Sequence, residues 1–268
     1  MEATSKDLVR QITVISATVY MLVAAAVGSG LLGGTSVQDL QGGALAADGS
    51  FLAPASPAFS IWSVIYVLLV AYAVWQALPS QRSRARQRAV GWWIAATAVL
   101  NGTWLVLAQF TTLVLTVVGI VVLLIALCAT FVQTLRFPAE GFGDSILIDG
   151  ATGLHLGWVS LATVANISAW LTTLGPSWWA EAADVWGITT LVLVGVIGVT
   201  IASASEWRVT PGLAMGWGLA WIAVARLYGE PPSRPIGITA AVVAVVVIAV
   251  PVVGTLANRV IEMRNAEA

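Results

Sequence analysis

Long apolar segments alternate with short polar connections along almost the whole chain. Eight segments are long enough, at about 1.5 Å of rise per helical residue, to cross most or all of the ~30 Å hydrocarbon core of a membrane. They cover residues 12–33, 57–78, 91–110, 113–135, 150–171, 185–203, 211–227 and 236–257. Their apolar residues run on without the strict alternation of a barrel strand, which predicts helices. The pattern therefore predicts an all-α, polytopic membrane helix bundle of about eight transmembrane helices.

The composition agrees with this interpretation. Of the 268 residues, 59% are hydrophobic and 9% are charged, and the mean hydropathy is +0.91. Soluble globular chains carry far more charge, so the protein is expected to be surrounded by membrane lipids. The formal net charge is −1 and no basic patch is present, which argues against a nucleic-acid partner.

Residues able to carry out chemistry are scarce. Cys128 and His155 are the only cysteine and histidine, so a zinc site built by the protein is not expected. Cys128 falls within a span, where a small buried hydrophobic role is expected. The single lysine, Lys6, lies outside the spans, which excludes a retinal Schiff base. We expect neither a metal nor a catalytic site, and hence no enzyme.

Charge distribution predicts the topology. Arg82, Arg84, Arg86 and Arg88 follow the second span, and cytoplasmic loops are enriched in arginine and lysine. Eight spans then place both termini in the cytoplasm. Arg226 falls near the outer end of the seventh span, where we expect its side chain to reach the headgroups.

Aromatic and amide side chains are predicted to share one layer beneath the outer surface. Helical rise places the following residues roughly 8–14 Å below the outer edge of the membrane: Trp62, Tyr66, Asn101, Trp104 and Asn166. An amide in hydrocarbon is unfavourable unless it is hydrogen-bonded. Asn101 and Asn166 should therefore either bridge helices or contact a ligand.

Two other features each have two interpretations. His155, in the inner half of the fifth span, is either a functional group or an ordinary histidine hydrogen-bonded within the bundle. Gly212 and Gly216 form a GxxxG pair, which indicates close helix packing inside the chain or in a homodimer.

Three motifs lie on the second, third and fifth spans. They comprise Phe59, Trp62 and Tyr66; Leu100, Asn101 and Trp104; and Leu156, Trp158, Val159, Ala162 and Asn166. In type, spacing and order they resemble the motifs of the TspO/MBR family of tryptophan-rich sensory proteins, which includes the mitochondrial translocator protein. The resemblance covers about residues 12–171 and is closest in form to a longer bacterial branch with additional C-terminal spans. It implies a five-helix TspO-like domain over residues 1–175, with three further transmembrane helices over 176–268 packed on the same bundle.

The resemblance also implies a function. A receptor or sensor of this family in a bacterial cell membrane would bind a planar hydrophobic molecule, either a tetrapyrrole such as a porphyrin or a sterol-like compound. The pocket would lie under the first outer loop and use Phe59, Trp62, Tyr66, Asn101, Trp104, His155, Trp158 and Asn166. No cofactor is implied beyond this possible porphyrin ligand. The alternative is a small-molecule transporter or permease, although only Pro251 interrupts a span.

Overall fold

Eight long helices form the protein in the computed structural model, which describes residues 3–33, 35–176 and 178–267. They are α1 (Ser5–Gly28), α2 (Ser56–Ala77), α3 (Ala85–Phe110), α4 (Leu113–Arg136), α5 (Phe142–Leu174), α6 (Ala183–Ala204), α7 (Val209–Tyr228) and α8 (Arg234–Glu267). These described residues contain no strand. The predicted all-α membrane bundle is confirmed.

Seven of the eight helices are long and apolar enough to cross a membrane. The remaining helix, α7, has 20 residues, which gives about 30 Å of helix. Its sequence is less apolar, with several glycines and an arginine among its buried positions. It packs on α5 and α8, so its surface is shaped mainly by other helices rather than by lipid.

Some helices extend beyond the predicted apolar segments. Helix α1 begins at Ser5, because the Asp7 carboxylate accepts hydrogen bonds from the backbone N–H and hydroxyl of Thr4, each at 2.9 Å. Helix α3 begins at Ala85 and includes Arg86 and Arg88. An apolar segment predicted from hydropathy ends at the first charged residue. These helices continue past that residue because other parts of the chain neutralise its charge.

The ends of the helices opposite the first loop carry a network of ion pairs. Arg84 is 2.7 Å from Asp144 and also pairs with Glu140. The hydrogen bond to Glu140, and after it the interactions with Asp144, raise the pKa of the Arg84 guanidinium above its ordinary value. Arg86 pairs with Asp149, which lies 3.1 Å from Arg208. The arginines predicted as topology signals therefore also join α3 to α5 and to the α6–α7 turn.

A short π-helical stretch places the two aspartates of this network. Residues Ser145–Gly150 of α5 adopt the wide turn in which residues five apart are neighbours. Asp144 and Asp149 are separated by that interval, and both approach Arg86. An ordinary α-helix would rotate one carboxylate away from the other.

The helices enclose two hydrophobic cores. Helices α1 to α5 share the first core, which includes the fully buried Met21, Ile65 and Leu123. Helices α6 to α8, with one face of α5, share the second core, which includes Leu191 and Leu219. Both cores cross residue 175, since the first also contains Ala214 of α7 and the second contains Leu161 of α5, so the boundary at that residue stays a prediction.

Glycines allow α7 to approach its neighbours at backbone distance. A methyl group added at Gly157 would overlap the backbone of Pro211 on α7. One added at Gly212 would overlap the carbonyl oxygen of Val247 on α8, and Gly216 faces Ile248 of the same helix. The GxxxG pair therefore packs inside the chain, which decides between its two interpretations.

The prediction that Cys128 is buried is wrong. Its side chain is exposed on the face of α4 that also presents Val118, Val122 and Ile125. Helix α4 packs on α3 and α5, and its opposite face is apolar. In a membrane that face lies against lipid, where a thiol needs no protein contact to be shielded from water.

Candidate ligand-binding slot

A narrow cavity lies beneath the loop that joins α1 to α2, and between α2, α3 and α5. Its volume is about 50 Å³, and it is called the slot below. Its walls are predominantly apolar and consist of Val37, Ala44, Leu45, Ser50, Ala53, Pro54, Phe59, Trp62, Trp104, Trp158, Leu161, Ala162, Ala165, Asn166 and Ala169. The loop residues 37–54 form its cover and are called the lid.

Aromatic rings from three helices meet in the slot. Trp158 on α5 contacts Phe59 and Trp62 on α2 edge to face, with ring centroids 5.9 and 6.1 Å apart. Trp104 of α3 completes the group. The start of α2 follows from its prolines, because Pro57 lies in the first turn, where the missing N–H costs no hydrogen bond. That start places Phe59 and Trp62 at the level of the lid.

Four polar atoms on slot residues have no hydrogen-bond partner among the residues that the structure describes, although their side chains are buried. They are the indole nitrogens of Trp104 and Trp158, the Ser50 hydroxyl and Asn166 Oδ1. The other amide atom of Asn166, Nδ2, donates to the Ala162 carbonyl oxygen at 2.8 Å. Since buried polar atoms are normally paired, the slot retains two donors, an acceptor and a hydroxyl that a ligand could satisfy.

Three of the eight predicted site residues lie below or beside the slot rather than in its wall. The Tyr66 hydroxyl donates to Asn101 Oδ1 at 3.1 Å, and the Asn101 amide nitrogen lies 3.4 Å from His155 Nε2. The His155 ring also contacts Trp62 edge to face at 5.7 Å. This chain of contacts supports the aromatic wall from behind. The other five, Phe59, Trp62, Trp104, Trp158 and Asn166, are brought together in the slot.

A second and larger cavity of about 470 Å³ adjoins the slot. It lies between the C-terminal end of α1 and the first half of α2, and Tyr66 is part of its wall. The two cavities share Val37, Phe59, Trp62 and Trp104 as a partition. We call the second cavity the side cleft.

Sequence reasoning did not include the small residues of α5 among the predicted site residues, although Ala162 was part of a motif. Ala162, Ala165 and Ala169 line the slot, at intervals of three and four residues that place them on one helical face. That spacing is visible in the sequence and could have indicated the face. The lid residues Ser50 and Ala53 carry no comparable signal, because a loop has no fixed periodicity.

The expectation that Arg226 extends toward the headgroups is wrong. Its side chain is 1% exposed and donates hydrogen bonds to backbone carbonyl oxygens, including that of Ala47 in the lid at 2.8 Å. The guanidinium turns inward because carbonyl oxygens from two separate connections converge on it. Sequence position near a span end does not reveal such acceptors.

The described residues contain no group of three or more histidine, cysteine, aspartate or glutamate side chains that could hold a metal ion. The acidic residues of the ion-pair network face arginines instead. The chemistry available at the slot is therefore apolar contact, ring stacking and hydrogen bonding.

Comparison with known families decides which protein family this is. A model of the TSPO-like protein family matches residues 10–253. The chain belongs to the TSPO-like protein family. The match runs from α1 into α8, so the TSPO-like chain resembles its family through the C-terminal helices as well as the first five. No curated protein and no solved structure matches it.

Membership and architecture together establish the general class. The TSPO-like chain is an integral membrane protein, with seven helices apolar enough to span a bilayer. Its family supports a role of the membrane sensor or receptor type. The predicted recognition of the family is confirmed.

Proposed function

We propose that the TSPO-like chain is a membrane receptor that binds a planar hydrophobic ligand, a tetrapyrrole or a sterol-like molecule, in the slot. The observation that supports this most is the convergence of Phe59, Trp62, Trp104 and Trp158 from three helices in one cavity. Clefts lined by aromatic groups with a few polar atoms are the usual form of small-molecule sites. A flat ligand gains most from such walls, because rings bury large apolar areas on both of its faces.

The unpaired polar atoms supply the orientation of the ligand. The indole N–H groups of Trp104 and Trp158 would donate to acceptors on the rim of the ligand, such as carboxylate or carbonyl oxygens. Asn166 Oδ1 would accept from a ligand donor. A tetrapyrrole with acidic substituents offers both kinds of group, whereas a sterol-like molecule offers a single hydroxyl. We therefore place the tetrapyrrole first.

The slot is too narrow to receive such a ligand without movement of its walls. The lid covers one side, and the partition with the side cleft forms another. Binding would displace the lid or rotate a partition ring, and either change could be transmitted to partners as the receptor signal. The arginine-rich ends of the helices would face the cytoplasm of a bacterial cell, and the slot and lid would then lie near the outer surface.

Removing two rings from the slot wall should abolish tight binding. The double variant Trp62→Leu, Trp104→Leu is expected to lower the affinity for a dicarboxylic porphyrin by at least about 30-fold, since buried aromatic anchors carry most of the energy of such sites. Binding would be followed by the absorbance band of the porphyrin, because the chain has 13 tryptophans and its own fluorescence would report on all of them.

The matched control is Trp186→Leu, an exposed tryptophan on α6 outside the slot. Its affinity should equal that of the unchanged protein. Equal affinities for the double variant and the control would contradict a site in the slot. Accumulation of the porphyrin inside proteoliposomes would instead indicate the transporter alternative.

A further inference from the structure

We infer that α7, the second of the three C-terminal helices, is the anchor of the lid, with Arg226 as its principal positioning residue. In this arrangement the three additional helices set how tightly the slot is closed. The inference deepens the proposed function, because it concerns access to the same slot, but its main test does not require any ligand.

The strongest link is a buried arginine whose side-chain hydrogen bonds, within the described part of the chain, go to backbone carbonyl oxygens. Arg226 Nη2 donates to the carbonyl oxygens of Ala47, at 2.8 Å, and Glu230, at 2.9 Å. Its Nη1 donates to the carbonyl oxygen of Pro231 at 2.8 Å. Hydrogen bonds from a charged donor are stronger than neutral ones, and this donor joins the lid to the α7–α8 turn.

The α7–α8 turn is itself well fixed. The Ser233 backbone N–H donates to the Arg226 carbonyl oxygen at 3.0 Å, and the Ser233 hydroxyl donates to Asp184 at the start of α6. Arg226 therefore holds the lid against a rigid support rather than against another mobile loop.

Two further hydrogen bonds tie α7 to the segment that follows the lid. The Trp217 indole N–H donates to the Ala58 carbonyl oxygen at 2.9 Å. The Ala55 backbone N–H donates to the Trp221 carbonyl oxygen at 3.2 Å. Together with Arg226, these contacts span more than two turns of α7, so the helix contacts the chain from the lid to the start of α2.

Apolar packing reinforces the hydrogen bonds. Leu52 of the lid is buried in the core formed by α6 to α8, and Phe51 packs against that core. The adjacent residues Ser50, Ala53 and Pro54 line the slot. One short stretch thus has its hydrophobic side chains in the C-terminal core and its small residues over the ligand cavity.

The opposite edge of the lid is held by α3. The Gln41 side-chain amide donates to the carbonyl oxygens of Ala108 and Thr111, at 3.2 and 2.6 Å. The lid is therefore fixed at both edges. The Gln41 amide holds one edge, and the Arg226 guanidinium and the buried Leu52 side chain hold the other. Release of the α7 edge would swing the lid about the Gln41 edge and open the slot.

The test measures exposure of the lid directly. A single cysteine is introduced by Leu45→Cys, a slot-facing lid residue, in a Cys128→Ser background, and its rate of reaction with a water-soluble maleimide is measured in nanodiscs. Adding Arg226→Gln should raise this rate about tenfold, because three carbonyl acceptors lose a charged donor and the lid opens more often. Trp217→Phe, which keeps a ring but removes the N–H, should raise it about threefold.

Two controls separate lid opening from other effects. Arg234→Gln removes an exposed arginine on the same side of the protein and should leave the rate unchanged. Ala98→Cys, buried in the first core, reports opening of the whole bundle and should stay unreactive in every variant. If Arg226→Gln prevents folding, the Trp217→Phe result decides.

Equal labelling rates for the unchanged protein, Arg226→Gln and Trp217→Phe would overturn the inference. So would labelling of Ala98→Cys that rises in parallel with that of the lid. In a second arm, Arg226→Gln should increase the dissociation rate of bound porphyrin by about tenfold. If no porphyrin binds at all, the proposed function fails while the labelling result still decides the role of α7.

Discussion

Replacing Asp149 by asparagine is expected to destabilise the protein by about 3 kcal/mol, because the buried Arg86 guanidinium would keep only the more distant Asp144 carboxylate, 3.8 Å away. The side chain of Arg86 is buried, and its pair with Asp149 is its closest contact to a carboxylate. Arg208 would keep its hydrogen bonds to Thr134, at 2.8 and 3.1 Å, but would lose its ion pair. The measurement is thermal unfolding in detergent, with circular dichroism as the readout.

Glu140→Gln is the matched control for this variant. The Glu140 carboxylate is 72% exposed and also pairs with an arginine, Arg84, at 2.7 Å. Exposed ion pairs contribute about 0–1 kcal/mol, so the melting temperature should change little. Similar melting temperatures for the two variants would show that burial of the Asp149 network does not stabilise the bundle.

Replacing Gly212 by valine should have an effect of similar size at the α7–α8 contact. The new side chain would overlap the Val247 carbonyl oxygen and meet Pro251, and backbone atoms cannot rotate away. Overpacking of this kind costs about 1–3 kcal/mol and occasionally more. We expect a lower melting temperature with an unchanged oligomeric state, measured by light scattering, because the GxxxG pair packs within the chain.

The control is Gly141→Ala, where an added Cβ meets no atom within 4 Å and the backbone is extended. Its stability should stay within about 0.5 kcal/mol of the original. A Gly212→Val variant that keeps its stability but loses a dimer would contradict the packing described for α7. In that case the GxxxG pair would belong to an interface between subunits.

The fold could be predicted because a bilayer leaves few solutions for long apolar runs. The ends of the helices could not, since hydropathy stops at charges that the tertiary structure neutralises. Helix α3 shows the difference: its apolar segment begins near Gly91, but the helix begins at Ala85 because Arg86 and Arg88 find carboxylates on α5 and α1.

The slot could be predicted in part, because helix geometry fixes the depth of each residue. Depth along a helix follows from residue number, so Trp62, Trp104 and Asn166 could be placed in one layer before any coordinates. Which atoms remain unpaired, and which way a lid folds, depends on contacts distant in sequence. Arg226 is separated from Ala47 by 179 positions, and nothing local to either residue indicates the bond.

The even number of long helices in the described part of the chain has a practical consequence. The N-terminal end of α1 and the C-terminal end of α8 emerge on the same side of the bundle, because each helix runs opposite to the one before it. A fluorescent reporter whose signal depends on the side of the membrane should therefore give the same result whether it is fused to the N-terminus or to the C-terminus. A reporter inserted at Asp48, an exposed lid residue, should show the reverse behaviour.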